Sequence, residues 1–280
     1  MPTILIDGLG FGESPRWHED RLWFSDMRTN ELSAVDAHGM REVIAVIPAM
    51  PMGTGWLPDG QMLVVSSRDG VLLRREPAGS LHAHASLAVL DGHPWSDMAV
   101  DGRGNAYIGC IGFDFPAGEP TPGILALVTP DGKVQQVADG LMFPNGVAVT
   151  PDNQTLIVAE SYASRLTAWD IAADGTLSGH RTWAKLDSAA PDGICLDAEG
   201  AVWYADVPNR HCVRVAEGGT VLETVELDRG CFACVLGGPD RQTLYITAAE
   251  FTGPASMAPA APRTGQIVTC PAPAPAVGWP

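Results

Sequence analysis

Three oxygen-bearing residues occupy one phase of a recurring phrase. Glu13, Asn145 and Asp192 stand 132 and 47 residues apart, yet each opens a short apolar run that leads through a polar turn into a second apolar run. Two carboxylates and a carboxamide, if the fold gathers them, make a hard-oxygen site suited to a divalent cation such as Ca²⁺, Mg²⁺ or Mn²⁺. Three protein donors leave positions open for water and substrate, as Lewis-acid hydrolysis requires. Asn-Gly and Asp-Gly also serve as ordinary turn dipeptides. Glu13, however, lies in Gly-Glu-Ser-Pro, which has no turn to serve, and three separate copies agree in phase.

The element that must position these residues is the repeat itself. It runs GESPRWHEDRLWFSD from Gly12, MGTGWLPDGQMLVVSS from Met52, SDMAVDGRGNAYIGC from Ser96, NGVAVTPDNQTLIVAES from Asn145, DGICLDAEGAVWYAD from Asp192 and ACVLGGPDRQTLYITA from Ala233. Aligned on the turn, the first positions are Glu13, Met52, Ser96, Asn145, Asp192 and Ala233, at intervals of 39, 44, 49, 47 and 41 residues. A period of that length with at least two strands per copy marks a β-propeller blade. The predicted fold is all-β, a six-bladed propeller with four antiparallel strands per blade, forming a single domain over residues 1–280. The first residues of each inner strand then meet at the mouth of the central tunnel. In the fifth copy the strands are expected at 193–197, 202–206, 212–216 and 221–226, with Gly-rich turns between them. Ile4 to Asp7 should supply the outer strand of the last blade and close the ring. The Pro/Ala-rich tail 271–280 reads as a loose end, and the long connections 114–123 and 252–263 as lids over the tunnel mouth.

Composition fits a well-filled all-β globule. Hydrophobic residues make up 46% and charged residues only 18%, while 31 Gly and 23 Pro supply the turns that many hairpins need. No run of 18 apolar residues is present and the first residues, MPTILIDGLG, do not form a secretory signal, so a cytoplasmic location is expected. With 17 Lys+Arg against 33 Asp+Glu, the formal charge is −16. Such a surface repels phosphate backbones and anionic lipid, which argues against nucleic-acid and membrane partners. A small molecule is the expected partner, and the chain is expected to be a monomer or a weak homo-oligomer. Cys231 and Cys234 form a C-x-x-C with no second pair at zinc-ribbon spacing, so all six cysteines are expected to be buried free thiols. There is no G-x-S-x-G, and none of the seven His falls at the strand-start phase.

Four motifs carry a family resemblance. Gly12-Glu13-Ser14-Pro15 with Trp17, Phe143-Pro144-Asn145-Gly146, Pro191-Asp192-Gly193-Ile194-Cys195-Leu196-Asp197, and Gly237-Gly238-Pro239-Asp240 with Thr243-Leu244-Tyr245 resemble the senescence-marker-protein/gluconolactonase/luciferin-regenerating-enzyme family, the regucalcin-like propellers. The resemblance covers essentially the whole chain, in order. It implies a metal-dependent lactonase, with water attacking a metal-polarised carbonyl. Glu13, Asn145 and Asp192 would hold the cation, with Asp192 doubling as general base. Ca²⁺ is the first expectation; the resemblance also admits Zn²⁺, Mn²⁺ or Fe²⁺, and the oxygen donors admit Mg²⁺. One family motif is altered. Where sugar-lactone members carry Arg-Phe-Asn-Asp, this chain has Pro94-Trp95-Ser96-Asp97, which removes donors that a polyol would use. Ser96, Asp97 and Trp95 are therefore candidate substrate contacts, with Trp56, Phe113, Phe143 and Phe251 as candidate apolar walls, and a less hydroxylated lactone is expected. The alternatives are a metal-assisted hydrolase of other esters or phosphotriesters, and a non-catalytic calcium-binding propeller.

Overall fold

The computed structural model of the protein describes residues 1–258 and 260–278. Six four-stranded antiparallel sheets stand around a common axis. Their inner strands are Gly12–His18, Pro51–Trp56, Trp95–Val100, Pro144–Val149, Pro191–Leu196 and Gly230–Gly237, which define blades one to six. Burial falls from axis to rim. In blade five the second strand, Val202–Asp206, is buried throughout, whereas the outermost, Val221–Glu226, is exposed or half-buried along its length. Strands covered on both faces tolerate continuous apolar runs, and those at the rim must alternate or turn polar.

Two glycines settle what Asn-Gly and Asp-Gly do here. Gly146 and Gly193 lie inside inner strands rather than in turns. A Cβ on Gly193 would stand 2.3 Å from the Cβ of Ala233, and one on Gly146 would stand 2.5 Å from the Asp192 carbonyl oxygen. Neighbouring inner strands crowd so closely at the axis that only glycine fits after Asn145 and Asp192.

Ring closure is as expected. Thr3–Leu9 pairs antiparallel with Gly265–Pro271 and becomes the outer strand of blade six. The tail is different from the expected loose end. Ala272 N–H donates to the Gln242 carbonyl, Ala276 N–H to Arg241, and Ala198 N–H to the Pro275 carbonyl, while Ala274 is 2% exposed. Its apolar residues cover the far mouth of the tunnel, where Ala276 and Val277 help Val100, Val149, Leu196 and Leu236 line a hollow of about 230 Å³. Trp279 and Pro280 of the tail, and Pro259 of the 252–263 connection, lie outside the described residues.

One register is corrected. Cys234 pairs with Ile246 in blade six as Ile194 pairs with Tyr204 in blade five, so Phe232, not Ala233, is equivalent to Asp192. The turn after Leu236 is longer than its counterpart after Leu196, and alignment on that turn displaces the strand by one residue. All six cysteines are free; five are buried as expected, whereas Cys195 is half-buried at the far hollow, and burial pushes the thiols up, Cys212 to about 11.

Buried acceptors end several second strands and hold the loops at the tunnel mouth. Glu160 accepts bonds from Met142 N–H (2.9 Å), from both Arg165 nitrogens (2.7 and 3.0 Å) and from the Thr167 hydroxyl. Burial raises its pKa, but these bonds outweigh burial and the net shift is downward. A lowered folded pKa contributes stability that is present above the unfolded value and lost as pH falls through the folded one. Glu160→Gln should therefore cost about 2 kcal/mol near neutrality. The deficit relative to wild type should shrink below about pH 4. Urea unfolding across pH reads this, and an unchanged midpoint at pH 7 would remove Glu160 from the stabilising network.

Candidate active site

The second residue of each of the first five inner strands, with its equivalent Phe232 in blade six, faces one cavity. Glu13, Met52, Ser96, Asn145, Asp192 and Phe232 all border a space of about 290 Å³ at the end of the tunnel where the inner strands begin. The phase agreement seen in the sequence is therefore a spatial ring. Its oxygen donors occupy blades one, three, four and five.

Hydrogen bonding separates two of these carboxylates from every other buried one among the described residues. Asp26 accepts from Gly10 and Phe11 N–H, Asp97 from Arg16 at 2.8 Å, and Asp101 from Asn105. Asp197 is held by Arg214 at 2.7 Å and Asp206 by Asn209 at 2.8 Å. Glu13 receives only a 3.2 Å bond from the adjacent Ser14 N–H, and Asp192 Oδ1 has no partner. Burial, then the Asp192 and Asp97 charges, push the Glu13 pKa well up, while burial, then Asp97 and Asp206, do the same to Asp192. Two buried, mutually repelling carboxylates with an orphaned oxygen lack a positive charge.

Asn145 completes the donor set. Its amide nitrogen donates to Ser161 Oγ at 3.3 Å, and its side chain also bonds Asp192. Ser161 in turn donates to the Pro191 carbonyl at 2.7 Å, which fixes the group. With the amide hydrogens so engaged, the carboxamide oxygen is the atom left to accept a cation. Among the described residues no cluster of three or more His, Cys, Asp or Glu could hold a metal, so the candidate set is two carboxylates and one amide. That set, free of thiolate and imidazole, matches a hard cation.

The other expected contacts divide. Ser96 borders the cavity, but its hydroxyl donates to the Pro144 carbonyl at 2.6 Å and not to the open space. Asp97 faces Arg16 beneath the site and does not border the cavity. Trp95 is fully buried in the core with Met98 and Cys110, because the residue before each ring position points between blades. Trp56 lies at the opposite end of its strand, stacked 4.0 Å from His18. Phe113 packs behind the wall against Phe143 and Tyr162, while Phe143 and Phe251 do border the cavity. Ser161, Met27, Met50, Tyr162, Phe115 and Met257 also line it without having been singled out in the sequence. The last two bring the 114–123 and 252–263 connections to the rim.

Three positive-φ residues lie in or just before inner strands at the cavity end. Ser14, Met50 and Phe143 adopt positive φ values of 48°, 67° and 58°, each immediately before a proline. Non-glycine residues rarely do so, and proline disfavours it further. Such strain persists where surrounding structure enforces it, most often at functional sites.

A family described as "SMP-30/Gluconolactonase/LRE-like region" matches residues 11–250, a span that includes Glu13, Asn145, Asp192 and Phe232. The chain belongs to the SMP-30/gluconolactonase/LRE-like family. Among relatives, regucalcin of Xenopus laevis is 30% identical over 265 residues, covering 89% of this chain and 86% of that protein. Pentonolactonase XacC of Haloferax volcanii is 27% identical over 262 residues, covering 91% and 87%. The solved structure of a luciferin-regenerating enzyme aligns with a TM-score of 0.82 at 20% identity, covering 96% of this chain and 95% of that one, which shows the shared fold. Within the SMP-30/gluconolactonase/LRE-like span of this chain lie all six ring positions. Met257 and the tail across the far mouth fall outside it.

Proposed function

We propose that this chain is a lactonase that opens a small lactone by attack of water, with Glu13, Asn145 and Asp192 holding a divalent cation. The observation that carries this reading is the pair of buried, unbalanced carboxylates at the floor of the cavity, one with an orphaned oxygen. Lactonase relatives such as the pentonolactonase agree with it. When bound there, a divalent cation, Ca²⁺ first given the all-oxygen donors, would polarise the ester carbonyl and stabilise the developing oxyanion.

The chain's own groups do the rest. The Asp192 carboxylate, which borders the cavity, accepts the proton as water oxygen bonds to the carbonyl carbon. The ring carbon–oxygen bond then breaks, the proton passes from Asp192 to the departing alkoxide, and a hydroxy acid results. Asn145, locked by Ser161, keeps its oxygen toward the floor. Below the floor, Asp97 opposes the charge on Glu13 while its partner Arg16 favours it more weakly.

The test is acid release at constant pH from unsubstituted γ- and δ-lactones. Hydrolysis should disappear after exhaustive chelation and return on adding back a divalent cation. Cation binding without hydrolysis of any lactone would leave a calcium-binding propeller and remove the enzymatic reading.

A further inference from the structure

The polar groups of the cavity lie mostly at its floor, with the Tyr162 phenol as the polar group on an otherwise apolar wall. Above Glu13, Asn145, Asp192 and Ser161 the wall consists of Met27, Met50, Met52, Phe143, Phe232 and Phe251, with further apolar residues between them. Among the described residues bordering the space there is no Lys, Arg or His. A sugar lactone would bury several hydroxyls against thioethers and ring edges, and each unmatched hydroxyl lowers affinity by about tenfold or more. Within this cavity an anionic substituent would meet two carboxylates and no basic side chain. The room also extends outward: Met27, Met50 and Met257 border a second hollow of about 200 Å³ as well, at whose rim Arg28 and Arg68 stand, outside the cavity itself.

We infer that the substrate is an uncharged lactone bearing an aliphatic substituent of several carbons, its ring on the oxygen floor and its chain along the methionine–phenylalanine wall; this rests on the lactonase reading above. Methionine is the side chain best able to adapt to a flexible chain, and four of them line the cavity.

The experiment compares kcat/KM for γ-butyrolactone, γ-hexalactone, γ-octalactone and glucono-δ-lactone with the cation-loaded protein. The value should rise about fourfold per added methylene until the wall is covered. Glucono-δ-lactone should fall at least about tenfold below γ-octalactone. Phe251→Ser, at the exposed edge of the wall, should reduce the octalactone-to-butyrolactone ratio about fivefold. In parallel, calorimetry follows binding of the non-hydrolysable γ-lactams with the same chains, where affinity should climb with length and the heat-capacity change should be negative. A flat chain-length dependence, or preference for glucono-δ-lactone, overturns the inference and leaves lactone hydrolysis standing. Length-dependent lactam binding without any hydrolysis removes the catalytic reading and upholds the ligand class. Lactam affinity that ignores chain length overturns the class outright.

Discussion

Asp192→Asn should lower kcat by about two orders of magnitude or more, the usual scale for loss of a general base. The substitution keeps size and one oxygen near the floor, so cation binding should weaken less than turnover does. It also replaces an oxygen that has no partner, Oδ1, so no existing hydrogen bond at that atom is broken and the fold should survive. The decisive comparison is kcat under saturating cation, with the melting temperature as a control for folding. Turnover within a few-fold of wild type would move the base elsewhere. Asp97 would be a poor successor, since Arg16 already holds it at 2.8 Å and it does not border the cavity.

Glu13→Gln should separate two quantities that normally move together. The amide lacks the charge that a divalent ion needs, so cation affinity should fall by about two orders of magnitude. Activity at limiting cation should fall with it. The cation-free protein, by contrast, should become more stable, because a buried carboxylate repelled by Asp192 and Asp97 is replaced by a neutral group. A rise of about 2–4 °C in melting temperature under chelation corresponds to roughly 1 kcal/mol in a chain of this size. Elemental analysis and calorimetry read the two effects independently. Full cation occupancy in this variant would sink the ligand assignment.

Much of this architecture is legible in the sequence because it is periodic. Six copies of one phrase specify six blades, and their common phase brings Glu13, Asn145 and Asp192 to one ring although the chain separates them widely. Ile4 to Asp7 was readable as the closing strand because an apolar segment precedes a repeat that lacks an outer partner. Other features depend on directions that spacing alone does not encode. Trp95 neighbours a ring residue in sequence, yet alternation along the strand sends it into the core. Trp56 belongs to the right strand but its wrong end. Phe232 was hidden by a longer turn in blade six. Met27, Phe115 and Met257 reach the cavity from connections whose course is set by tertiary packing. The tail's Pro and Ala residues look unstructured in isolation and find their partners only once the tunnel's apolar far mouth exists.

The tail across that far mouth, together with Arg16 and Asp97 lodged beneath the ring, turns an open cylinder into a cup. A cup has a single doorway, so arrivals and departures share it. On the lactonase reading, the open-chain acid must back out past Phe115, Phe251 and Met257 before the next ring can enter. Its carboxylate would form on a floor whose two negative charges a bound divalent cation balances, so no net repulsion drives it out. Departure would then depend on exchange with water at the floor and on the width of the doorway, which makes product release the step that Phe115, Phe251 and Met257 control.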